Sequence, residues 1–212
     1  MMKVLFGMTA LLFAALPACA AEPPCAKFEA GQAAYQRGDF ASATDQLAIA
    51  AERGCVAAHT LLGHIHRDGH GGTGRSEAKA HYLQAARQGD CTAQLSLARM
   101  YHLRDSNGRS KTEALRWYEA AAKNGSPWAQ LALASFFDQG TLVQRDDVQA
   151  FYWFSVLAAR PVEIQDRTSW ALQEVAIRSL LALRNRMTAD QFIDAMDLVE
   201  EQMVDSMWCD NG

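Results

Sequence analysis

GCVAAHTLLGHIHRDGH (54–70), GDCTAQLSLARMYHLRDS (89–106) and GSPWAQLALASFFDQG (125–140) are three copies of one pattern, and their alignment decides the fold. Their opening glycines, Gly54, Gly89 and Gly125, are 35 and 36 residues apart. Four, eight, nine and twelve residues after each glycine stand an alanine, a leucine, a tiny residue and a ring. In copy order, these columns are Ala58, Ala93 and Ala129; Leu62, Leu97 and Leu133; Gly63, Ala98 and Ala134; His66, Tyr101 and Phe137. Such spacing returns to one face of an α-helix.

A second helix precedes each glycine. Alanine stands eleven residues before it, at Ala43, Ala78 and Ala114, and a large apolar residue stands seven before it, at Leu47, Tyr82 and Tyr118. The glycine itself fits the turn that ends this helix, where a left-handed backbone favours glycine. One helix pair cannot bury both of its faces, so the pattern predicts a stack of pairs.

The pattern resembles a known repeat. AQLSLARMY with EALRWYEAAAKNG, and AQLALASFFDQG with VQAFYWFSVLAA, are similar to Sel-one-like repeats, a branch of the tetratricopeptide superfamily. The resemblance implies an all-α, right-handed superhelical solenoid of antiparallel helix pairs, in which the first helices line a face that binds peptides or partner proteins. It also assigns a tetratricopeptide-like unit to 25–54, because that unit has a shorter loop, and three Sel-one-like repeats to 55–160.

Capping residues mark several helix starts. Ser76, Ser110 with Glu113, and Ser126 before Pro127 are expected to open helices within the repeats. After Pro161, one long helix is expected, and Thr188 with Gln191 predicts another. Residues 161–212 are therefore assigned to C-terminal capping helices and a tail, since a solenoid otherwise exposes an apolar end.

The first twenty residues have the pattern of an export signal. Lys3 precedes an apolar run to Leu16, and the small residues Ala18 to Ala20 favour cleavage after Ala20. LPAC also resembles a lipobox, in which Cys19 would be acylated. We expect a periplasmic protein, with an outer-membrane lipoprotein or a secreted protein as alternatives.

The remaining cysteines are even in number. Cys25, Cys55, Cys91 and Cys209 allow up to two disulfides in an oxidising compartment, and the sequence does not choose among three pairings. Buried free thiols are the alternative.

Composition excludes several classes of function. The 212 residues carry a formal net charge of −4 without a basic cluster, which argues against nucleic-acid binding. No later run is apolar over 18 residues, so no integral membrane segment is expected in the mature chain.

Four of the six histidines lie between His59 and His70, which raises the question of a metal site. No cysteine pair or H-E-x-x-H frame accompanies them, and His66 falls in the ring column, so we expect packing and no metal. Ser76 and Lys79 match S-x-x-K, but the companion elements of penicillin-recognising enzymes are absent. We therefore expect no catalytic residue and no cofactor.

After the metal site and the catalytic residues are set aside, the remaining candidate site is a surface that binds a partner. The residue five positions after each glycine is polar, and together with the rings and the loop-side residues it forms a candidate partner-binding face. Its members are His59, Arg67, Gln94, Tyr101, His102, Gln130 and Phe137. The tiny and ring columns also suit inter-helix packing, which would leave fewer residues for a partner.

These observations predict a non-catalytic exported scaffold for protein–protein interaction in the bacterial cell envelope. The alternatives are a periplasmic binder or weak hydrolase of cell-wall fragments or β-lactam-like ligands, and a secreted host-facing effector.

Overall fold

A computed structural model describes residues 25–70, 74–103, 108–161 and 167–209, and the side chains of these residues except at 108, 109 and 203–209. Over these ranges the chain forms ten helices and no strand. The helices are α1 (Phe28–Gln36), α2 (Phe40–Glu52), α3 (Val56–Arg67), α4 (Arg75–Arg87), α5 (Cys91–His102), α6 (Gly108–Lys123), α7 (Pro127–Gln139), α8 (Asp147–Ala158), α9 (Arg167–Arg186) and α10 (Ala189–Cys209). The export signal at 1–20, Cys19 included, lies outside the described residues.

The helices stack in chain order. α1 pairs with α2, α3 with α4, α5 with α6 and α7 with α8, and the second helix of each pair packs on the first helix of the next. α9 and α10 both pack on α8. This is the all-α solenoid of helix pairs that the repeat columns predict. The three repeat glycines adopt the expected left-handed backbone conformation, with φ of +88° at Gly54, +89° at Gly89 and +83° at Gly125.

Two of the four predicted caps are confirmed. Ser126 precedes Pro127 at the start of α7, and its Oγ accepts a hydrogen bond from the Ala129 N–H at 3.4 Å. Thr188 and Gln191 exchange backbone and side-chain hydrogen bonds of 3.0 and 3.2 Å at the start of α10. These caps succeed because the side chain and the orphan N–H group are only three residues apart.

The other two caps are wrong. α4 begins at Arg75 after Gly74, and the Glu77 carboxylate accepts the Gly74 N–H at 3.0 Å, so Ser76 lies inside the first turn. α6 already begins at Gly108, which places Ser110 within the helix rather than before it.

Buried apolar side chains form three clusters. The N-terminal cluster joins α1, α2 and α3 around Leu47 and Leu62. The middle cluster joins α4 and α5 around Tyr82 and Leu97, and the C-terminal cluster runs from α5 to α10. Stability is therefore distributed along the stack, as expected when each repeat contacts only its neighbours.

The tiny column allows close helix contact, as the sequence suggests. A Cβ atom added at Gly63 would lie 2.5 Å from Cε1 of Tyr82, and one added at Gly31 would lie 2.6 Å from Cγ of Leu47. Both distances are shorter than nonbonded carbon–carbon contacts, so glycine is what lets α2 approach α1 and α4 approach α3.

One disulfide closes the N-terminal end of the solenoid. Cys25 and Cys55 are bonded, with their Cα atoms 5.0 Å apart. Cys91 is a free, partly buried thiol, and the side chain of Cys209 lies outside the described part. Of the disulfides that the sequence leaves open, the described part of the chain contains Cys25–Cys55.

An ion-pair cluster holds the C-terminal helices to the repeats. Arg186, at the end of α9, donates hydrogen bonds to Asp138 of α7 and to Asp147 of α8. Arg145 donates to the same Asp147 carboxylate, and these hydrogen bonds lower the pKa of Asp147. α9 is thus tied to both helices of the last repeat.

Candidate partner-binding site

The structure places Gln94 and Gln130 inside the stack, which corrects their assignment to an accessible face. They are 4% and 3% exposed. Gln94 Nε2 donates a 2.9 Å hydrogen bond to the Ala86 carbonyl, and Gln130 Nε2 donates one of 3.1 Å to the Ala122 carbonyl. These carbonyls lie in the last turn of the preceding helix, where intrahelical partners run out. These residues belong to the polar column, the positions five residues after each repeat glycine. In these two copies the column joins one repeat to the next by hydrogen bonds.

A neighbouring side chain extends this fastening. Asn124 Nδ2 donates a 2.9 Å hydrogen bond to Gln94 Oε1, so Gln94 bridges the end of α4 and the turn that follows α6. Because both ends of the Gln94 amide are hydrogen-bonded within the protein, the Gln94 side chain is not offered to a partner.

His59, the third member of the polar column, joins a cluster of imidazoles between α3 and α4. Its Nδ1 lies 3.1 Å from Nδ1 of His81, and the His66 ring stacks on the His81 ring with centroids 5.2 Å apart. His66 is 7% exposed, in agreement with a packing role for the ring column. The sequence did not identify His81 as the residue that contacts both His59 and His66. The only signal was its position directly before Tyr82, whose ring is buried.

Burial, together with charge repulsion from His66 and His59, lowers the pKa of His81 to about 4, so His81 is uncharged near neutral pH. Burial also lowers the pKa of His59. In the described part of the chain, no group of three or more His, Cys, Asp or Glu side chains is arranged to hold a metal ion.

We expect the protein to lose stability as the pH falls from about 6.5 to about 4, the range between the ordinary histidine pKa and that of His81. In this range the unfolded chain binds the proton that the folded chain rejects, so the full stability is present only above it. The loss should be about 1–2 kcal/mol, less than the whole pKa shift implies because the ring keeps some contact with solvent.

Urea denaturation at several pH values measures this loss. His81→Gln should reduce the slope between pH 6.5 and 4, whereas His102→Gln, at an exposed histidine on α5, should keep it. Equal slopes in the two variants would contradict the assignment to His81.

His64 and His70, which belong to no column of the repeat alignment, also pack against aromatic rings. His64 meets the Tyr82 ring edge-on, with centroids 5.6 Å apart. His70 stacks on Phe40 of α2 at 3.8 Å, with the ring planes 6° apart. The stretch 54–70 is therefore a packing surface for rings on two neighbouring helices, α2 and α4.

The loop-side candidates are more accessible. Arg67 is exposed, and its Nε and Nη2 donate hydrogen bonds of 2.8 and 3.1 Å to the Asp68 carboxylate. His102 is exposed, with Nδ1 3.3 Å from the Tyr118 hydroxyl, and Phe137 is half-buried against the C-terminal cluster. These side chains lie on three different repeats.

Tyr101 lines a cavity of about 480 Å³ between α4 and α5. Arg75, Ser76 and Lys79 of α4 and Met100 of α5 form the rest of its described lining. Lys79 Nζ lies 4.5 Å above the centre of the Tyr101 ring, a cation–π contact. Of the seven residues proposed for the partner face, only Tyr101 is among those that line it.

The cavity offers binding groups rather than an assembled nucleophile. Ser76 and Lys79 both line it, yet among the described residues no hydrogen bond joins the Ser76 hydroxyl to Lys79, whose ammonium lies over Tyr101. A general base must come within about 2.6–3.2 Å of the hydroxyl that it activates. The chemistry present is two cations, two hydroxyls and an apolar floor.

Stacked antiparallel helix pairs with a short repeat period define a helical-repeat protein of the solenoid type. The Sel1 repeat model matches residues 56–90, 92–126 and 129–160. The chain therefore contains three Sel1 repeats, and proteins built of such repeats are typically protein-interaction scaffolds.

Two solved structures show the same fold. One is a Sel1 repeat protein from Oxalobacter formigenes, with a TM-score of 0.57, 23% identity, and coverage of 75% of this chain and 74% of that one. The other is a protective antigen of uropathogenic Escherichia coli with an SLR fold, with a TM-score of 0.55, 23% identity, and coverage of 84% of this chain and 45% of that one. The present chain thus spans about half the length of the antigen. Comparison with curated protein sequences found no match.

Proposed function

We propose that the protein is a non-catalytic, exported scaffold that holds a partner protein or an extended peptide in the bacterial cell envelope. The observation that carries this proposal is the open cavity between α4 and α5, because it combines a half-buried ring with polar groups on a packed pair of helices. Aromatic and arginine side chains of this kind are enriched where proteins bind one another.

Two observations support export. The Cys25–Cys55 disulfide is a feature of proteins from oxidising compartments. The leader-like pattern of residues 1–20 agrees with it. Cleavage after Ala20 would give a periplasmic protein, and acylation at Cys19 would anchor it to a membrane. Among the described helices, none is long and apolar enough to cross a bilayer.

Site-specific photo-crosslinking in the native cell tests the scaffold. A photoreactive amino acid at Tyr101 is expected to capture a discrete partner in the periplasmic or membrane fraction, because this position faces the cavity. The matched control is the same group at Gln84, an exposed position on α4 that is not part of the cavity lining.

Equal capture from both positions, or no capture from either, would contradict a partner at this face. Recovery of the protein from the cytoplasm with its leader intact would contradict export.

A further inference from the structure

We infer that the cavity between α4 and α5 binds an acidic segment of the partner protein, with a carboxylate between Arg75 and Lys79 and an adjacent apolar side chain on Met100 and Tyr101. This inference rests on the proposed scaffold function and specifies the chemistry that the partner must present.

The two cations of the cavity are adjacent on one helix. Arg75 and Lys79 are four residues apart on α4, so their side chains leave the helix on the same face. Within the described ranges, no carboxylate forms an ion pair with either of them. The nearest acidic residue in sequence, Glu77, uses its carboxylate to accept the Gly74 N–H at 3.0 Å. The positive charge at the rim is therefore available to a ligand.

The floor of the cavity is apolar. Met100 is 9% exposed, and the Tyr101 ring lies beneath the Lys79 ammonium at 4.5 Å. An ammonium over a ring keeps N–H donors for a carboxylate, and an arginine can hold the same carboxylate with two parallel hydrogen bonds. A side chain next to that carboxylate can then cover the ring and the methionine.

Charge and size together favour a peptide. Two cations are too few to hold a nucleic acid or an anionic membrane, each of which is bound through many basic contacts. The chain has a net charge of −4, so an acidic segment is repelled by most of the surface and attracted at this rim. A volume of about 480 Å³ holds a few side chains.

Fluorescence anisotropy with labelled octapeptides tests this inference on the mature chain with its disulfide intact. One panel alternates Asp or Glu with Leu, Phe or Trp, and a second panel replaces every Asp by Asn and every Glu by Gln. We expect at least one acidic peptide to bind, and its amide counterpart to bind at least tenfold more weakly.

A pair of matched double variants assigns the binding to the cavity. Arg75→Glu with Lys79→Glu should weaken the acidic peptide at least tenfold. Arg87→Glu with Lys123→Glu makes the same change in net charge at exposed positions in the last turns of α4 and α6, and should change the affinity less than twofold. Circular dichroism on all variants checks that they are folded.

Three results would overturn the inference: amide peptides that bind as well as acidic ones, equal weakening by the two double variants, or displacement of the peptide by equimolar free glutamate or inorganic phosphate. The last result would assign the cavity to small anions. A partner that is captured at Tyr101 equally well after Arg75→Glu with Lys79→Glu would refute the acidic segment and leave the scaffold standing. Absence of any captured partner would instead refute the scaffold.

Discussion

Replacing Tyr82 by alanine is expected to lower the free energy of unfolding by about 3–5 kcal/mol, the range for removing a large buried ring. Tyr82 is 0% exposed. Its ring lies close against Gly63 and meets the edge of His64, so the substitution leaves a hole between α3 and α4 that the helix backbones cannot fill. Urea denaturation followed by circular dichroism measures the loss.

Tyr101→Ala is the matched control, because Tyr101 is a half-buried ring on the cavity wall. It should cost clearly less stability than Tyr82→Ala, while weakening the capture of a partner. Similar losses of stability in the two variants would show that the Tyr101 ring belongs to the core.

The shape of the Tyr82→Ala transition should also change. The ring belongs to the middle cluster but contacts α3, which contributes to the N-terminal cluster. Since a solenoid is stabilised by contacts between neighbours, weakening this contact should uncouple the two clusters. A broader urea transition with a smaller m value than in the wild type is expected.

Loss of the Cys25–Cys55 disulfide is expected to destabilise the protein by about 3–4 kcal/mol, from the entropy that a bond across a loop of this length removes from the unfolded chain. The two cysteines are 30 residues apart, and the bond spans the whole of α1 and α2. Thermal denaturation of the Cys25→Ala, Cys55→Ala variant, or of the wild type in reductant, measures the effect.

Cys91→Ala is the control for this experiment, because Cys91 is a free thiol on α5. Its melting temperature should respond to reductant as the wild type does. A wild-type melting temperature that is unchanged by reductant would contradict a stabilising disulfide.

The repeat columns were sufficient to predict the helices and their stacking. Alanine, leucine, tiny and ring columns each return to one helix face, so their spacing contains the period of the helix and the length of the repeat. The turn glycines follow from the same alignment, since all three need a positive φ that other residues rarely adopt. These features depend on residues that are close together in the chain, so they can be predicted from a single sequence.

The polar column was misread because its environment is not local. Gln94 and Gln130 lie on the right helices, but whether they face solvent or the end of the preceding helix depends on how two helices are placed against each other. The spacing of residues within one helix does not determine the angle at which that helix packs on its neighbour. The cap predicted at Ser76 is wrong for a different, local reason, because α4 begins one residue before Ser76 and the Glu77 carboxylate accepts the Gly74 N–H.

The cavity could be predicted only in part. Tyr101 belongs to a repeated column and was identified, whereas Arg75 and Lys79 belong to no column and lie in a different repeat. Their meeting requires the stacking of α4 on α5, which the sequence predicts as a topology but not at the scale of individual side chains. Likewise, the stacking of α1, α2 and α3 selects Cys55 as the partner of Cys25.

The position of the disulfide also determines how the protein bears mechanical tension. Cys25 precedes α1 and is bonded to Cys55, which directly precedes α3. A pull applied through the chain before Cys25 therefore crosses the sulfur–sulfur bond and enters the solenoid at α3. α1 and α2 lie outside the load path, so tension reaches the first helix pair only through its packing on α3.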